Sequence, residues 1–206
     1  SNNRKKLSDK KKASFASYLE KIDIDSKIHQ YKKAGIYWIT ILSNEYPDQL
    51  SEIAFPPIVL FYRGNYALIK QHTWLGVVGA RECTSYGLKV LETLIPPLIE
   101  SSSQSIGVIS GLAQGIDTKS HEVCIQAKGA TIGVIGTGLD IVYPSKNRSL
   151  QEEMATNQLV ISEYPMGATP LKFHFPERNR IIAGISRGAL VVEAKKRRGS
   201  LITAYN

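Results

Sequence analysis

Two arginines and one asparagine, Arg178, Asn179 and Arg180, lie in the stretch HFPERNRIIAG, directly before an apolar segment that is typical of the start of a helix. The helix dipole disfavours cations at this end of a helix by about 0.3 kcal/mol or more. Either carboxylates of the chain neutralise the two guanidinium groups, or an anion from outside the chain binds there. The stretch is therefore a candidate anion site.

Glycine-rich turns follow three apolar runs, in the sequences GVVGAREC, SGLAQGID and IGVIGTG. Turns between a strand and a helix let backbone N–H groups approach a phosphate. A glycine in such a turn nevertheless serves a positive φ or close packing more often than a ligand. The sequence has neither the GxGxxG motif of NAD-type sites nor the GxxxxGK[ST] motif of P-loops. Three such turns with arginines nearby favour a phosphate-binding edge.

Arg81 follows the first of these apolar runs closely, so we expect its side chain to lie over the edge of a sheet. The alternative for Arg81 is an ion pair inside the protein. The acidic residues that we consider as its partners are Glu82, Glu163 and Glu193.

A second basic group, Lys146, Asn147 and Arg148, follows a Tyr-Pro pair. Ser145 or Asn147 is a suitable cap for the next helix. Capping alone could explain Asn147, but it does not explain the basic residues on both sides. We therefore include Lys146 and Asn147 among the candidates for anion binding.

Asp117 and His121 are spaced to meet on one helix turn, where a carboxylate can orient a histidine base. The alternative, which we favour, is that Asp117 caps the helix and His121 lies on its surface. The sequence contains no GxSxG motif, no metal-ligand cluster and no close pair of carboxylates. We therefore expect a binding protein without catalytic residue, metal or cofactor, and leave nucleotide hydrolysis open.

The composition is that of a folded, basic protein. The 206 residues are 43% hydrophobic, and 26 Lys and Arg against 18 Asp and Glu give a formal net charge of +8, which favours a polyanionic partner. No apolar run approaches the roughly 20 residues of a membrane span, and no signal peptide is visible. The two cysteines lie far apart. We therefore expect a cytoplasmic protein without disulfide, zinc or membrane association.

Five short apolar runs are typical of strands that are buried on both faces of a parallel sheet. They are LGVVGAR (75–81), IGVISGL (106–112), IGVIGTG (132–138), LVISEYP (159–165) and GALVVEA (188–194). Helical segments separate them, which predicts an α/β fold with a Rossmann-like, doubly wound, mainly parallel sheet. Ligands of such sheets bind beyond the carboxyl ends of the strands, so the loops after these runs should form the site.

The first part of the chain differs from the sheet region. Residues 1–36 contain KASFASYLEKI and SKIHQYKKAG, which have apolar residues at helical spacing, with Gly35 as a C-cap. They predict a small, partial helical module. From residue 37 the chain contains short extended pieces, among them the strand IVLFYRGN, which we expect to pack on the sheet. The predicted domains are therefore 1–36 and 37–206.

Seven ordered motifs, from about Tyr37 to Ala204, resemble those of the DNA processing protein A family, also called Smf. They are GAREC.SYG, SGLAQGIDTKSH, TIGVIGTGLDIVYPSKN, ISEYP, HFPERNRIIAGIS, LVVEA and GSLITA. The resemblance implies a Rossmann-like domain that binds and protects single-stranded DNA, acts as a homodimer and loads the RecA recombinase during bacterial DNA uptake and transformation. It also implies that the helical module is of the sterile-alpha-motif type.

The resemblance further implies a pocket for the DNA backbone. By motif, its basic residues are Arg81, Lys146, Asn147, Arg178, Asn179 and Arg180, and its glycine-rich wall contains Ser110, Gly111 and Gly115. Phosphates would then neutralise Arg178 and Arg180. Bases are expected to stack on Phe173, Phe175 or Tyr143, unless these aromatic residues belong to the core.

Two features depart from the family pattern. Arg198 stands where the family usually has Ser, and the sequence stops at Asn206, whereas family members continue through a region that carries part of the dimer surface. The competing prediction is a nucleotide-binding or nucleotide-hydrolysing protein related to the phosphoribohydrolases. Their PGGxGTxxE loop is absent, since GTGLD lacks the glutamate. Ligand size separates the two predictions, because a DNA binder gains affinity with oligonucleotide length.

Overall fold

The chain forms two compact units, residues 1–35 and residues 36–206. The computed structural model describes residues 22–100 and 105–193, together with Ser14 and Ser17.

In the first unit, helix α1 covers Ile24–Lys33. It begins where the Asp23 carboxylate accepts a hydrogen bond of 2.9 Å from the backbone N–H of Ser26, a standard N-cap contact. It ends before Gly35, whose φ of +65° is the left-handed conformation that favours glycine after a helix. The other predicted helix, KASFASYLEKI, lies outside the described residues apart from its two serines and Ile22.

The second unit consists of one sheet with helices between its strands. Its strands are β1 (Tyr37–Thr40), β2 (Val59–Gly64), β3 (Thr73–Gly79), β4 (Ile106–Ser110), β5 (Thr131–Ile135), β6 (Leu159–Ser162) and β7 (Gly188–Val192). Its helices are α2 (Asp48–Ser51), α3 (Leu68–Gln71), α4 (Ser85–Glu100), α5 (Ile116–Gln126), α6 (Arg148–Asn157) and α7 (His174–Ile185), and a 3-10 turn (Ser145–Asn147) precedes α6.

The sheet has the strand order β1-β2-β6-β5-β4-β3-β7. The strands from β6 to β7 in this order are parallel, whereas β2 pairs antiparallel with both β1 and β6. The chain proceeds from β3 through β4 and β5 to β6 and then returns to the other side of β3 as β7. This reversal defines a doubly wound sheet, so the predicted fold class is confirmed. The strands β1 and β2 extend the sheet beyond β6.

Burial explains why the parallel strands appear in the sequence as apolar runs. Every residue of β5 and β6 is buried, because helices cover both faces of a parallel sheet. One hydrophobic core includes Leu60, Ile132 and Ile181, and a second includes Leu91 and Val123 from α4 and α5. These cores fix the carboxyl ends of β3, β4 and β5 side by side. Within the described residues, no helix is long and apolar enough to cross a membrane.

Candidate functional site

A shallow cleft lies where the loops after β3, β4 and β5 meet the first turn of α7, at the edge that the topology indicates. Its wall includes Arg81, Gly111, Gln114, Gly136, Tyr143 and Phe175. Its volume is about 80 Å³, against roughly 300–1,000 Å³ for sites that enclose a small molecule. The described residues therefore form an open surface instead of an enclosing pocket.

Arg81 is exposed at this cleft and lies over an aromatic ring. Its guanidinium carbon is 5.3 Å from the centroid of the Phe175 ring, and that centroid is 5.4 Å from the centroid of the Tyr143 ring. Such a cation–π contact contributes about 0.5–1 kcal/mol at an exposed site. The contact therefore holds the guanidinium beside Phe175 in the cleft wall.

Two of the three carboxylates considered as partners of Arg81 bind other groups. Glu163 forms an ion pair of 2.5 Å with Arg180. Glu193, which follows β7, accepts hydrogen bonds from the backbone N–H of Thr84 (2.8 Å) and from its hydroxyl. Both carboxylates are therefore accounted for by partners other than Arg81.

Lys146 and Asn147 lie in the 3-10 turn before α6, and only the first is exposed. The Nδ2 of Asn147 donates to the Leu112 carbonyl (2.8 Å) and to the Thr118 hydroxyl (2.8 Å). The expectation that the Asn147 side chain caps α6 is wrong, because it makes no capping hydrogen bond. Successive residues of a 3-10 turn point about 120° apart, so one neighbour faces solvent and the other faces the protein interior.

Arg178 is buried, with 3% of its surface exposed. Its Nη1 donates to the carbonyls of Gly111 (2.6 Å) and Val134, and burial lowers its pKa to about 10. The expectation that Arg178 stands before the helix is wrong, because α7 begins at His174 and places Arg178 in the second turn. Pro176 permits this early start, since proline is tolerated in the first turn, where its missing N–H has no intrahelical partner to lose.

Arg180 is half-buried and has partners within the protein. Its Nε donates to the Phe55 carbonyl (2.8 Å), and its Nη2 contacts Glu163 (2.5 Å). A carboxylate of the chain therefore neutralises this guanidinium, which was the first of the two alternatives for HFPERNRIIAG. Asn179 is half-buried between the two arginines. Direct contact of Arg178, Asn179 or Arg180 with DNA stays a prediction.

The residues of the predicted glycine-rich wall have structural roles. The buried Ser110 hydroxyl donates to the Val77 carbonyl of the neighbouring strand (2.6 Å). Gly115 has a φ of +88°, and a Cβ at this position would lie 2.4 Å from the Ala80 carbonyl oxygen. A Cβ at Gly111 would lie 2.4 Å from the Arg178 guanidinium. Close packing thus explains both glycines, and their contact with a phosphate stays a prediction.

Asp117 is buried in the first turn of α5, and Gly115 occupies the cap position instead. Burial raises the pKa of the Asp117 carboxyl to about 6, although the Arg178 charge and hydrogen bonding from the backbone of Ala113 and Gly111 lower it. The expectation that Asp117 caps the helix is therefore wrong. Its carboxylate faces the loop after β4 from inside the protein.

His121 is fully buried, so the expectation of a surface histidine is also wrong. Its Nδ1 is 2.7 Å from the Thr131 hydroxyl, which itself donates to the Val108 carbonyl (2.9 Å). Nδ1 must therefore carry the proton, and burial lowers the pKa of the ring to about 3. Within the described part of the chain, no three His, Cys, Asp or Glu residues are grouped to hold a metal ion.

The aromatic candidates are not core residues. Phe173 is 56% exposed and Tyr143 is 44% exposed, and Phe175 lines the cleft. The sequence does not single out Gln114 or Lys172, which are exposed near these rings, the first in the cleft wall and the second directly before Phe173. Their position next to a strand end or a helix start is the signal that could have identified them. The basic run 195–198, including Arg198, lies outside the described residues.

Residues 37–206 match the family described as DNA recombination-mediator protein A. DNA processing protein DprA of Streptococcus pneumoniae is 51% identical over 164 residues, which are 80% of this chain and 56% of that protein. DprA of Bacillus subtilis is 45% identical over 175 residues, 85% of this chain and 58% of that protein. Protein Smf of Escherichia coli is 35% identical over 92% of this chain and 50% of its own length.

Two solved structures share the fold. The X-ray structure of DprA from S. pneumoniae has a TM-score of 0.85 at 46% identity and covers 94% of this chain and 66% of that one. DNA processing protein A from Helicobacter pylori, studied for its single-stranded DNA binding mode, has a TM-score of 0.72 at 28% identity over 82% of this chain and 74% of its own. The chain thus spans little more than half the length of the first two relatives.

Proposed function

Because the chain belongs to the DNA recombination-mediator protein A family, we propose that it binds single-stranded DNA at the cleft after β3, β4 and β5. One observation carries the proposal: the exposed Arg81 guanidinium is held 5.3 Å from the centroid of the Phe175 ring, next to Tyr143. A strand needs both a cation for its phosphates and aromatic faces for its bases, and the cleft presents them together. The single-stranded DNA binding of the H. pylori relative supports this ligand class.

Exposed cations would supply most of the affinity. Arg81 and Lys146 lie on two of the loops that form this edge, and Lys172 precedes α7. Each phosphate contact to a single strand contributes a slope of roughly −0.7 to a plot of log affinity against log salt. Stacking of a base on Tyr143 or Phe173 adds about 1–3 kcal/mol per base. Binding should therefore depend strongly on salt and weakly on sequence.

We favour binding over turnover of a nucleotide. The cleft that the described residues form has a volume of about 80 Å³, below the roughly 300–1,000 Å³ of sites that enclose a small molecule, whereas an open surface suits a continuous strand. The phosphoribohydrolase-like alternative lacks its PGGxGTxxE loop, since GTGLD has no glutamate. The buried Asp117 faces the loop after β4 and the guanidinium of Arg178, which suits a structural role.

The proposal extends to the steps that follow strand binding. We propose that the full protein is a cytoplasmic homodimer that protects an incoming strand and loads the RecA recombinase onto it during bacterial DNA uptake. The support is the family description, recombination mediator. RecA loading is tested by measuring the formation of RecA filaments on single-stranded DNA that is already coated by a single-strand-binding protein, with and without this protein.

Length dependence tests strand binding itself. Fluorescence anisotropy with labelled oligonucleotides of 5, 10 and 20 nucleotides, and with a mononucleotide, should show affinity that rises with length, because successive phosphates add contacts. A double-stranded 20-mer serves as the control for general charge attraction. Equal affinity for the mononucleotide and the single-stranded 20-mer would contradict the proposal.

A further inference from the structure

Three consecutive carbonyls of the loop after β4 each accept a hydrogen bond from a side chain of a different element. The donors are Nη1 of Arg178 to Gly111 (2.6 Å), Nδ2 of Asn147 to Leu112 (2.8 Å) and Oγ1 of Thr118 to Ala113 (2.7 Å). They come from α7, from the 3-10 turn and from α5. A loop that is bound on three successive residues by separate elements has its conformation imposed by the whole fold.

Two of these donors are also bound to each other. The Nδ2 of Asn147 donates to the Thr118 hydroxyl (2.8 Å), so that hydroxyl accepts from Asn147 while it donates to the Ala113 carbonyl. Charged or polar groups in such a chain depend on one another, and removal of one disturbs the next. Asn147 and Thr118 therefore act on the loop as one unit.

The loop that these side chains hold has an unfavourable backbone conformation. Leu112 has a φ of +52°, a left-handed conformation that residues other than glycine adopt rarely. Such a conformation persists only where surrounding contacts impose it, and it occurs often at binding sites. Without the three donors, we expect the loop to relax to a more common conformation.

The held conformation has a direct effect on the cleft wall. A peptide group is planar and trans, so the C=O of Ala113 and the N–H of Gln114 point in opposite directions. Because the Ala113 carbonyl accepts from the half-buried Thr118, from its hydroxyl (2.7 Å) and from its backbone N–H (3.1 Å), the Gln114 N–H faces away from it. Gln114 is exposed and lines the cleft. Three carbonyl oxygens of the loop are thereby bound to side-chain donors of the protein.

From this arrangement we infer that Arg178, Asn147 and Thr118 are positioning residues of the DNA cleft, which act on the strand through the loop at 111–114 without touching it. The inference rests on the proposed function of the cleft. It reverses the expected role of Arg178 and Asn147, which the family resemblance assigns to direct contact with the DNA backbone. Thr118, which the sequence does not single out, becomes the most informative residue because it is uncharged.

Thr118→Val tests the inference with a nearly isosteric change that removes the hydroxyl. We expect the folded variant to bind a single-stranded 20-mer about 5-fold to 20-fold more weakly than the wild type, with an unchanged salt slope. Thr118→Ser retains the hydroxyl and should restore affinity.

Thr156→Val is the matched control, since the Thr156 hydroxyl of the wild type donates to the Glu152 carbonyl within α6. Combining Thr118→Val with Asn147→Ala should weaken binding no further than the stronger single variant does.

Arg178→Gln separates positioning from direct contact. Substitution of a positioning residue lowers the affinity and leaves the salt slope unchanged. Loss of a residue that binds a phosphate reduces the magnitude of the slope by roughly 0.7. Arg81→Ala provides that reference. If Arg178→Gln does not fold, Arg178→Lys retains the charge and one donor and is measured in the same way. A slope reduced as in Arg81→Ala, or wild-type affinity in folded Thr118→Val, would overturn the inference.

Hydrogen exchange makes the outcome independent of DNA. In the full chain, amides of the peptide that covers residues 111–115 should exchange faster in Thr118→Val than in the wild type, while those of β3 stay unchanged. If the wild type binds no single-stranded DNA but residues 111–115 exchange faster in Thr118→Val, the proposed function fails. The role of Thr118 in holding the loop at 111–114 would still stand. Unchanged exchange at residues 111–115 would overturn the inference whatever the binding result.

Discussion

Lys146 and Asn147 are adjacent in the chain and face opposite environments. Lys146 is exposed, whereas Asn147 is 6% exposed and donates two hydrogen bonds of 2.8 Å, to the Leu112 carbonyl and the Thr118 hydroxyl. The 3-10 turn separates their side chains by about one third of a turn. The two neighbouring polar residues therefore differ in role: Lys146 is available at the surface, whereas Asn147 stabilises the fold.

This relationship predicts opposite effects for the two alanine variants. Asn147→Ala should lower the free energy of unfolding by about 1–3 kcal/mol, because it leaves the buried Leu112 carbonyl without a donor. Lys146→Ala should change it by less than about 0.5 kcal/mol and should instead reduce the salt slope of DNA binding by roughly 0.7. Urea unfolding and binding titrations check both. Wild-type stability in Asn147→Ala would contradict the assignment.

The glycine after the cleft loop should not tolerate a side chain. Gly115→Ala forces a positive φ on alanine and brings its Cβ to 2.4 Å from the Ala80 carbonyl oxygen, so we expect a loss of more than about 2 kcal/mol in the free energy of unfolding. Gly167→Ala is the matched control, since Gly167 has a φ of +84° and no atom within 4 Å of the added Cβ. It should cost only about 1 kcal/mol. Equal losses in both variants would argue against a close approach at Gly115.

His121 should make the protein sensitive to acid. Burial and the nearby Arg178 charge lower its pKa to about 3, from about 6.5 in the unfolded chain. Because the folded pKa is the lower one, the contribution of His121 to stability is complete above about pH 6.5 and is lost as the pH falls toward 3.

The test is the free energy of unfolding measured by urea at pH 7 and at pH 4.5. His121→Gln should lose less stability between these pH values than the wild type, by roughly 2–3 kcal/mol. The raised pKa of Asp117, about 6, acts in the opposite direction in both proteins, since its contribution is present below about pH 4 and is lost as the pH rises through 6. Equal loss of stability in the wild type and His121→Gln would show that burial does not keep His121 neutral.

Arg180 and Glu163 should contribute to stability as a pair. Their ion pair of 2.5 Å is partly buried, with side-chain exposures of 21% and 27%. A double-mutant cycle with Arg180→Ala and Glu163→Ala should give a coupling energy of about 0.5–1 kcal/mol. Arg180→Ala should leave the salt slope of DNA binding unchanged. A salt slope reduced in magnitude by roughly 0.7 would instead show that Arg180 contacts a DNA phosphate.

The sheet and the edge at which the cleft lies could be predicted from the sequence because burial on both faces leaves a local signal. Runs such as those ending at Gly79 and Ser110 are apolar throughout, and the order of strands and helices then fixes which loops meet. Arg81 could be placed at the edge for the same reason. Its contact with Phe175, 94 residues further along the chain, could not, since nothing local indicates that the start of α7 lies over the cleft.

The errors concern polar residues whose partners are distant in sequence. The sequence predicts His121 on the surface of its helix, Asn147 as a helix cap and Arg178 before the start of α7. Each is buried against groups from other elements, which hydrophobic periodicity does not reveal. One local signal was available: Pro176 followed by Glu177 is typical of a first helical turn and places the start of α7 before the arginines.

In the proposed function, Arg81 binds the phosphates of a single strand at the cleft. The most direct measurement is the affinity for a single-stranded 20-mer at several salt concentrations for the wild type, Arg81→Ala and Arg187→Ala. Arg187 is the matched control because it is exposed and its backbone N–H binds the Trp74 carbonyl (2.9 Å) near the start of β3, at the opposite edge of the sheet. We expect Arg81→Ala to weaken binding about tenfold and to reduce the magnitude of the salt slope by roughly 0.7. Arg187→Ala should have nearly the affinity and the salt slope of the wild type. Equal effects of the two substitutions, or none, would contradict the account.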